Sequence, residues 1–236
     1  QQLGGSGTQT SSLAYGGFIP PDSAATELWN GTNWTEVNDL NDTRRMGAGL
    51  GADSTSALAF GGYTTAVVAV TELYNGTNWT EVNDLNTART MLGASGDATA
   101  GIAFGGTQDP PKTAATELWN GTNWTEVNDL NTARDDLAGS GKGTTTAALA
   151  FGGLTPPGAY SAVTELWNGT NWTEQNDLST ARNVLSGAGT STAGLAFGGE
   201  TPPVSAATEE WTGAGAPVGA WATGGSLNLA RTGPGG

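Results

Sequence analysis

The stretch that decides the fold is TELWNGTNWTEVND, beginning at Thr26 and recurring from Thr71 (TELYNGTNWTEVND), Thr116 (TELWNGTNWTEVND) and Thr164 (TELWNGTNWTEQND), with a drifted fifth copy from Thr208 (TEEWTGAGAPVGAW). The starts lie 45, 45, 48 and 44 residues apart. A period of this length built from short strands is the signature of a radial β-architecture. Within the peptide, Asn120-Gly121-Thr122-Asn123 separates two apolar-polar alternations, each carrying a tryptophan. Asn and Gly accept positive φ at little cost, so the segment predicts a tight hairpin between two strands.

Working outward in the third copy, Ala115–Asn120 and the NWTEV segment that follows the turn are the third and fourth strands of one unit. Leu92–Ala98 (LGASGDA) is small and glycine-rich, as suits an innermost strand crowded around an axis. Ala100–Gly106 (AGIAFGG) is a second, more apolar strand closed by a Gly-Gly pair. Pro110 and Pro111 bar further pairing in the loop behind it. No segment has helical periodicity. The expectation is an all-β chain forming a single five-bladed β-propeller over residues 1–236, with four antiparallel strands per blade. The blades are expected at about 1–45, 46–90, 91–135, 136–183 and 184–231, with 232–236 as a closing tail.

The succession of a small strand, an apolar strand ending Gly-Gly, an aromatic before a turn and a Trp after it resembles the Kelch repeat. The di-glycines are Gly16-Gly17, Gly61-Gly62, Gly105-Gly106, Gly152-Gly153 and Gly198-Gly199. The third-strand aromatics are Trp29, Tyr74, Trp119, Trp167 and Trp211, and the fourth-strand tryptophans are Trp34, Trp79, Trp124, Trp172 and Trp221. The pattern departs from Kelch in having Trp where Tyr is usual on the third strand, and five repeats where six or seven are usual. The WNGTNWTEVNDLNTAR-type blocks also look like repeats in structural and tail-associated proteins of marine bacteriophages and environmental viruses. That resemblance implies a virion-associated, non-enzymatic propeller, in the virion or outside cells.

The ends carry an expectation about closure. LNLAR at 227–231 matches LNTAR at 85–89, and LGGSG at 3–7 matches LGASG at 92–96. The tail is therefore expected to return to the head, with every blade continuous in sequence.

Composition narrows the function classes. Net charge is −14 with only eight Lys plus Arg, and five of those (Arg44, Arg89, Arg134, Arg182 and Arg231) occupy one repeat position. No basic patch is left to neutralise phosphates, which argues against nucleic-acid binding, and the same scarcity argues against anionic membrane surfaces. No apolar run approaches the ~20 residues that span a bilayer, so no membrane insertion is expected. The chain has neither histidine nor cysteine. Imidazole acid–base chemistry, imidazole or thiolate metal ligation and cysteine nucleophiles are thereby excluded, and the expectation is no catalysis, no cofactor and no metal site.

The repeated Glu27, Glu72, Glu117, Glu165 and Glu209 are read with the five arginines as ion pairs bracing blade against blade. Asp39, Asp84, Asp129 and Asp177 could ligate Ca²⁺ but are read as turn-capping side chains.

Candidate function lies where the copies differ. The loops after the di-glycines read FIPPDSA, YTTAVVA, TQDPPKTA, LTPPGAYSA and ETPPVSA. The residues after the repeated Arg also vary: Arg45-Met46, Thr90-Met91, Asp135-Asp136, Asn183-Val184 and Thr232-Gly233. In a four-stranded antiparallel blade both segments fall on one rim, and loops on a rigid scaffold are where binding resides. Phe18, Tyr63 and Tyr160 are the unrepeated aromatics there, suited to stacking on a sugar or anchoring a protein, and Asp135-Asp136 is the unrepeated carboxylate pair. The expected partner is a host-surface glycan or a virion protein. The alternatives are a spacer domain in a longer fibre and, behind it, a glycan-active hydrolase using the paired carboxylates.

Overall fold

The computed structural model describes residues 2–213 and 219–232. These form five four-stranded antiparallel sheets, each from contiguous chain and each in simple sequence order. Blade 1 comprises β1 (Gly4–Thr8), β2 (Ser11–Tyr15), β3 (Thr26–Trp29) and β4 (Trp34–Val37). Blade 2 comprises β5 (Ala48–Asp53), β6 (Ser56–Phe60), β7 (Thr71–Tyr74) and β8 (Trp79–Glu81). Blade 3 comprises β9 (Gly93–Gly96), β10 (Gly101–Phe104), β11 (Thr116–Trp119) and β12 (Trp124–Val127). Blade 4 uses β13 (Ala138–Gly139), β14 (Ala148–Phe151), β17 (Thr164–Trp167) and β18 (Trp172–Glu174), with a small hairpin of β15 (Leu154–Thr155) and β16 (Ala159–Tyr160) inserted after its di-glycine. Blade 5 comprises β19 (Ser186–Gly189), β20 (Ala193–Phe197), β21 (Thr208–Thr212) and β22 (Ala220–Thr223). The chain is an all-β propeller whose five inner strands line a central channel of about 280 Å³.

Local chemistry fixes each blade. At the hairpin, Trp119 lies opposite Trp124, and the Asn120 side-chain oxygen accepts the backbone N–H of Thr122 at 3.0 Å and of Asn123 at 2.9 Å. Asp129 accepts the N–H of Thr116 at 3.1 Å, and Asp39, Asp84 and Asp177 do the same for Thr26, Thr71 and Thr164. These carboxylates therefore tie the end of the fourth strand to the start of the third, rather than capping their own turn as the sequence suggests. The di-glycine is required twice over. Gly105 and Gly106 have φ of +64° and +98°, and a Cβ on Gly105 would lie 2.6 Å from the Arg134 carbonyl oxygen.

Seams between blades repeat one plan. The second-strand aromatic of each blade meets the fourth-strand Trp of the next: Tyr15–Trp79, Phe60–Trp124, Phe104–Trp172 and Phe151–Trp221, with ring centroids 4.7–5.0 Å apart. The indole N–H of that Trp donates to the Thr that opens the previous blade's third strand, as in Trp124 to Thr71 at 3.1 Å. Beside it, the connecting Arg pairs with the next blade's Glu: Arg44–Glu72, Arg89–Glu117, Arg134–Glu165 and Arg182–Glu209. The pairs are buried. Each Glu also accepts a backbone N–H through its second oxygen, as Glu117 does from Asn86 at 2.7 Å. The charges are thus neutralised and their carboxylates and terminal guanidinium nitrogens hydrogen-bonded, while the Nε of each of the four arginines is buried without a partner.

The fifth pair expected from the sequence is not formed. Glu27 and Arg231 are both exposed, and neither has an ion pair among the described residues. The Arg231 carbonyl still accepts the Gly199 N–H at 3.0 Å, the clamp that every connecting Arg makes on its own blade's di-glycine. Only the reach to another blade is missing. Trp34 is 49% exposed, whereas Trp79, Trp124 and Trp172 are each 5% exposed. The seam between blades 5 and 1 is therefore open among the described residues, and the closing tail expected at 232–236 lies, beyond Thr232, outside them. The inner strands of blades 3, 4 and 5 pack closely at the axis: a Cβ on Gly187 would lie 2.0 Å from the Gly139 oxygen, and one on Gly139 2.2 Å from the Ala94 oxygen.

Candidate binding rim at the channel mouth

The two variable segments meet on one rim. The residue after each connecting Arg bridges to the residue after the next di-glycine: Arg45 to Tyr63, Thr90 to Thr107, Asp135 to Leu154 and Asn183 to Glu200. The following residue turns into the left-handed region. Met46, Met91, Asp136 and Val184 have φ of 56°, 54°, 51° and 48°, and Gln2 has φ of 63°. Their backbones form a relay in which Met46 N–H donates to Gln2, Met91 to Met46, Asp136 to Met91 and Val184 to Asp136, each at 3.0 Å. Positive φ is uncommon for side chains of these types, most of all for β-branched valine, and such backbone strain gathers at functional sites.

Their side chains line a cavity of about 240 Å³ at the channel mouth, with Leu3, Leu92, Leu137 and Leu185 behind them. The lining is apolar apart from the Gln2 amide and the Asp136 carboxyl. Burial pushes the Asp136 carboxyl up to about 6, with the charge of neighbouring Asp135 adding to the rise and Lys112 and Asn183 opposing it. An apolar cup with one or two polar groups is the usual composition of a small-ligand site.

The residues singled out from sequence do not form one constellation. Phe18 and Tyr63 flank the Arg45 guanidinium, whose carbon sits 4.8 and 5.0 Å from their ring centroids. Arg45 also pairs with Asp22 at 3.0 Å. Asp135 is buried in an ion pair with Lys112, tying loop to connection in blade 3 as Asp22 and Arg45 do in blade 1 with the charges reversed. Tyr160 sits on the β15–β16 hairpin, 37% exposed, paired with the Leu154 that itself bridges to Asp135. Asp136 alone of the five lines the mouth. Gln2, Met46, Met91 and Val184 were not among those residues. The signal of Met46, Met91 and Val184 was the variation directly after the repeated Arg, without a glycine to announce the left-handed backbone, and Gln2, which follows no Arg in the sequence, had no such signal.

The opposite rim is uniform for a structural reason. Asn38, Asn83 and Asn128 each donate to the hairpin of the next blade, as Asn83 does to the Thr122 carbonyl at 3.0 Å and the Asn123 side-chain oxygen at 2.6 Å. In the fourth blade Gln175 replaces this Asn and accepts the Gly219 N–H at 3.0 Å. Among the described residues no three acidic side chains gather as a metal-binding group.

No protein-family model matches this chain, and no curated protein matches it.

Proposed function

We propose that this chain is a non-enzymatic binding module that presents its variable rim to a glycan or a protein. The observation that carries the reading is the ring of left-handed, non-glycine residues around the apolar mouth, on the rim where the repeats differ. The other rim is occupied by a repeated asparagine network, so variation there would break seams between blades. Asp135 is engaged by Lys112, which deprives a hydrolase of a free carboxylate to work with Asp136.

The Kelch-like spacing of di-glycine, aromatic and tryptophan supports a Kelch-type ancestry for the blades. The likeness to phage repeat blocks directs the partner toward a bacterial host-surface glycan or another virion protein, with the chain in the virion or outside cells. A spacer role in a longer fibre is the second reading, favoured by the open faces of blades 5 and 1.

A glycan array probed in parallel with isolated virion proteins tests the proposal. Binding that is lost in Met46→Lys and Tyr160→Ala and retained in Thr32→Lys on the opposite rim supports it. Binding to no sugar and no virion protein overturns it.

A further inference from the structure

We propose that the open faces of blades 5 and 1 are the two halves of a head-to-tail interface between copies of this chain. The groups of the ion pair, the ring contact and the indole hydrogen bond that make a seam elsewhere are present at the open one, while Gly225 stands in blade 5 where Asn38, Asn83 and Asn128 reach the next blade. Blade 5 offers Arg231, Phe197 and Thr208 where the preceding blades offer Arg182, Phe151 and Thr164. Blade 1 offers Glu27 and Trp34 where the following blades offer Glu72 and Trp79. The charges are complementary, cation on one face and anion on the other.

Both faces also expose apolar surface. Trp34 is 49% exposed and Leu229, two residues before Arg231, is 68% exposed, while Asp42 and Thr87 occupy the position of Leu229 in blades 1 and 2. The same interface is made four times inside the molecule, so its geometry is already known to be compatible with these side chains. The blade 1 of a second copy can dock on blade 5, placing Glu27 against Arg231, the Trp34 ring edge on Phe197 and its indole N–H on Thr208. The contact is heterologous, with different patches on the two copies, so assembly ends in a closed ring or continues as a string.

The test is light scattering and sedimentation of the purified chain from about 1 to 100 µM, the range in which interfaces of modest strength reveal themselves. The wild type is expected to grow in mass with concentration. Glu27→Arg and Arg231→Glu, both at exposed positions that leave the fold intact by circular dichroism, are each expected to be monomeric alone. Mixing the two is expected to restore association, because one chain keeps Arg231 and the other keeps Glu27. A wild type that stays monomeric throughout the range overturns the proposal, as does association that both single variants retain.

Discussion

Replacing Glu117 by Ala removes the partner of Arg89 at the centre of a seam. The guanidinium lies 2.8 Å from the carboxylate, and both side chains are 0% exposed. Arg89 would keep its bonds to the Gly105 and Ala115 carbonyls, which orient it but do not neutralise it. Asn86 would lose the acceptor for its backbone N–H and for its side-chain amide, at 2.7 and 2.8 Å. Leaving a buried charge without its partner costs about 3–5 kcal/mol. The same substitution at Glu27, the first repeat's equivalent, touches an exposed side chain with no ion pair among the described residues, and changes at such positions stay within about 0.5 kcal/mol. The chain thus contains its own control. Urea unfolding followed by tryptophan fluorescence, in solution dilute enough to exclude association, is expected to show a large fall in midpoint for Glu117→Ala and almost none for Glu27→Ala. Equal losses for the two would refute the reasoning, because they would mean that the first-repeat Glu is buried and paired after all.

Three further outcomes follow from the geometry. Asp136→Asn, which keeps a residue tolerant of positive φ, removes a carboxyl whose folded pKa of about 6 lies above its ordinary value of 3.8. The wild-type carboxyl's favourable contribution is present below pH 3.8 and lost as pH rises through 6, so the variant should gain about 1–2 kcal/mol over wild type at pH 8, allowing for the group's partial exposure, and nothing at pH 4, by thermal denaturation at both pH values. Gly187→Ala puts a methyl group 2.0 Å from a backbone oxygen of the neighbouring inner strand and should lower stability by about 2 kcal/mol or more, whereas Gly225→Ala, with nothing within 4 Å, should be neutral in the same melts. Arg45→Ala withdraws the guanidinium between Phe18 and Tyr63 and should cost about 1–2 kcal/mol in denaturant titration.

Much of this architecture was legible because repetition supplies five readings of each position. Alternation in TELWN and NWTEV, the Asn-Gly turn and the paired glycines fix the strands and their order within a blade. A Glu and an Arg recurring once per repeat announce the seam. Two things were beyond that reading. Whether Arg231 reaches Glu27 depends on how far each blade rotates about the axis, a sum over all seams that no single repeat encodes. The left-handed residues at the mouth are Gln, Met, Met, Asp and Val, of which only Asp is a type enriched in that conformation. The aromatic candidates Phe18 and Tyr63 were visible as unrepeated rings, yet their guanidinium partner Arg45 is unrepeated too, and only the fold brings the three together.

The central claim is that recognition belongs to the variable rim. Hydrogen–deuterium exchange on the chain with and without the glycan or virion protein returned by the binding screen tests it most directly. The account predicts protection of backbone amides around Met46, Met91, Asp136 and Val184 and in the loops that follow the di-glycines. Protection confined to the opposite rim, at the hairpins of Asn30–Asn33 and Asn75–Asn78, would contradict it.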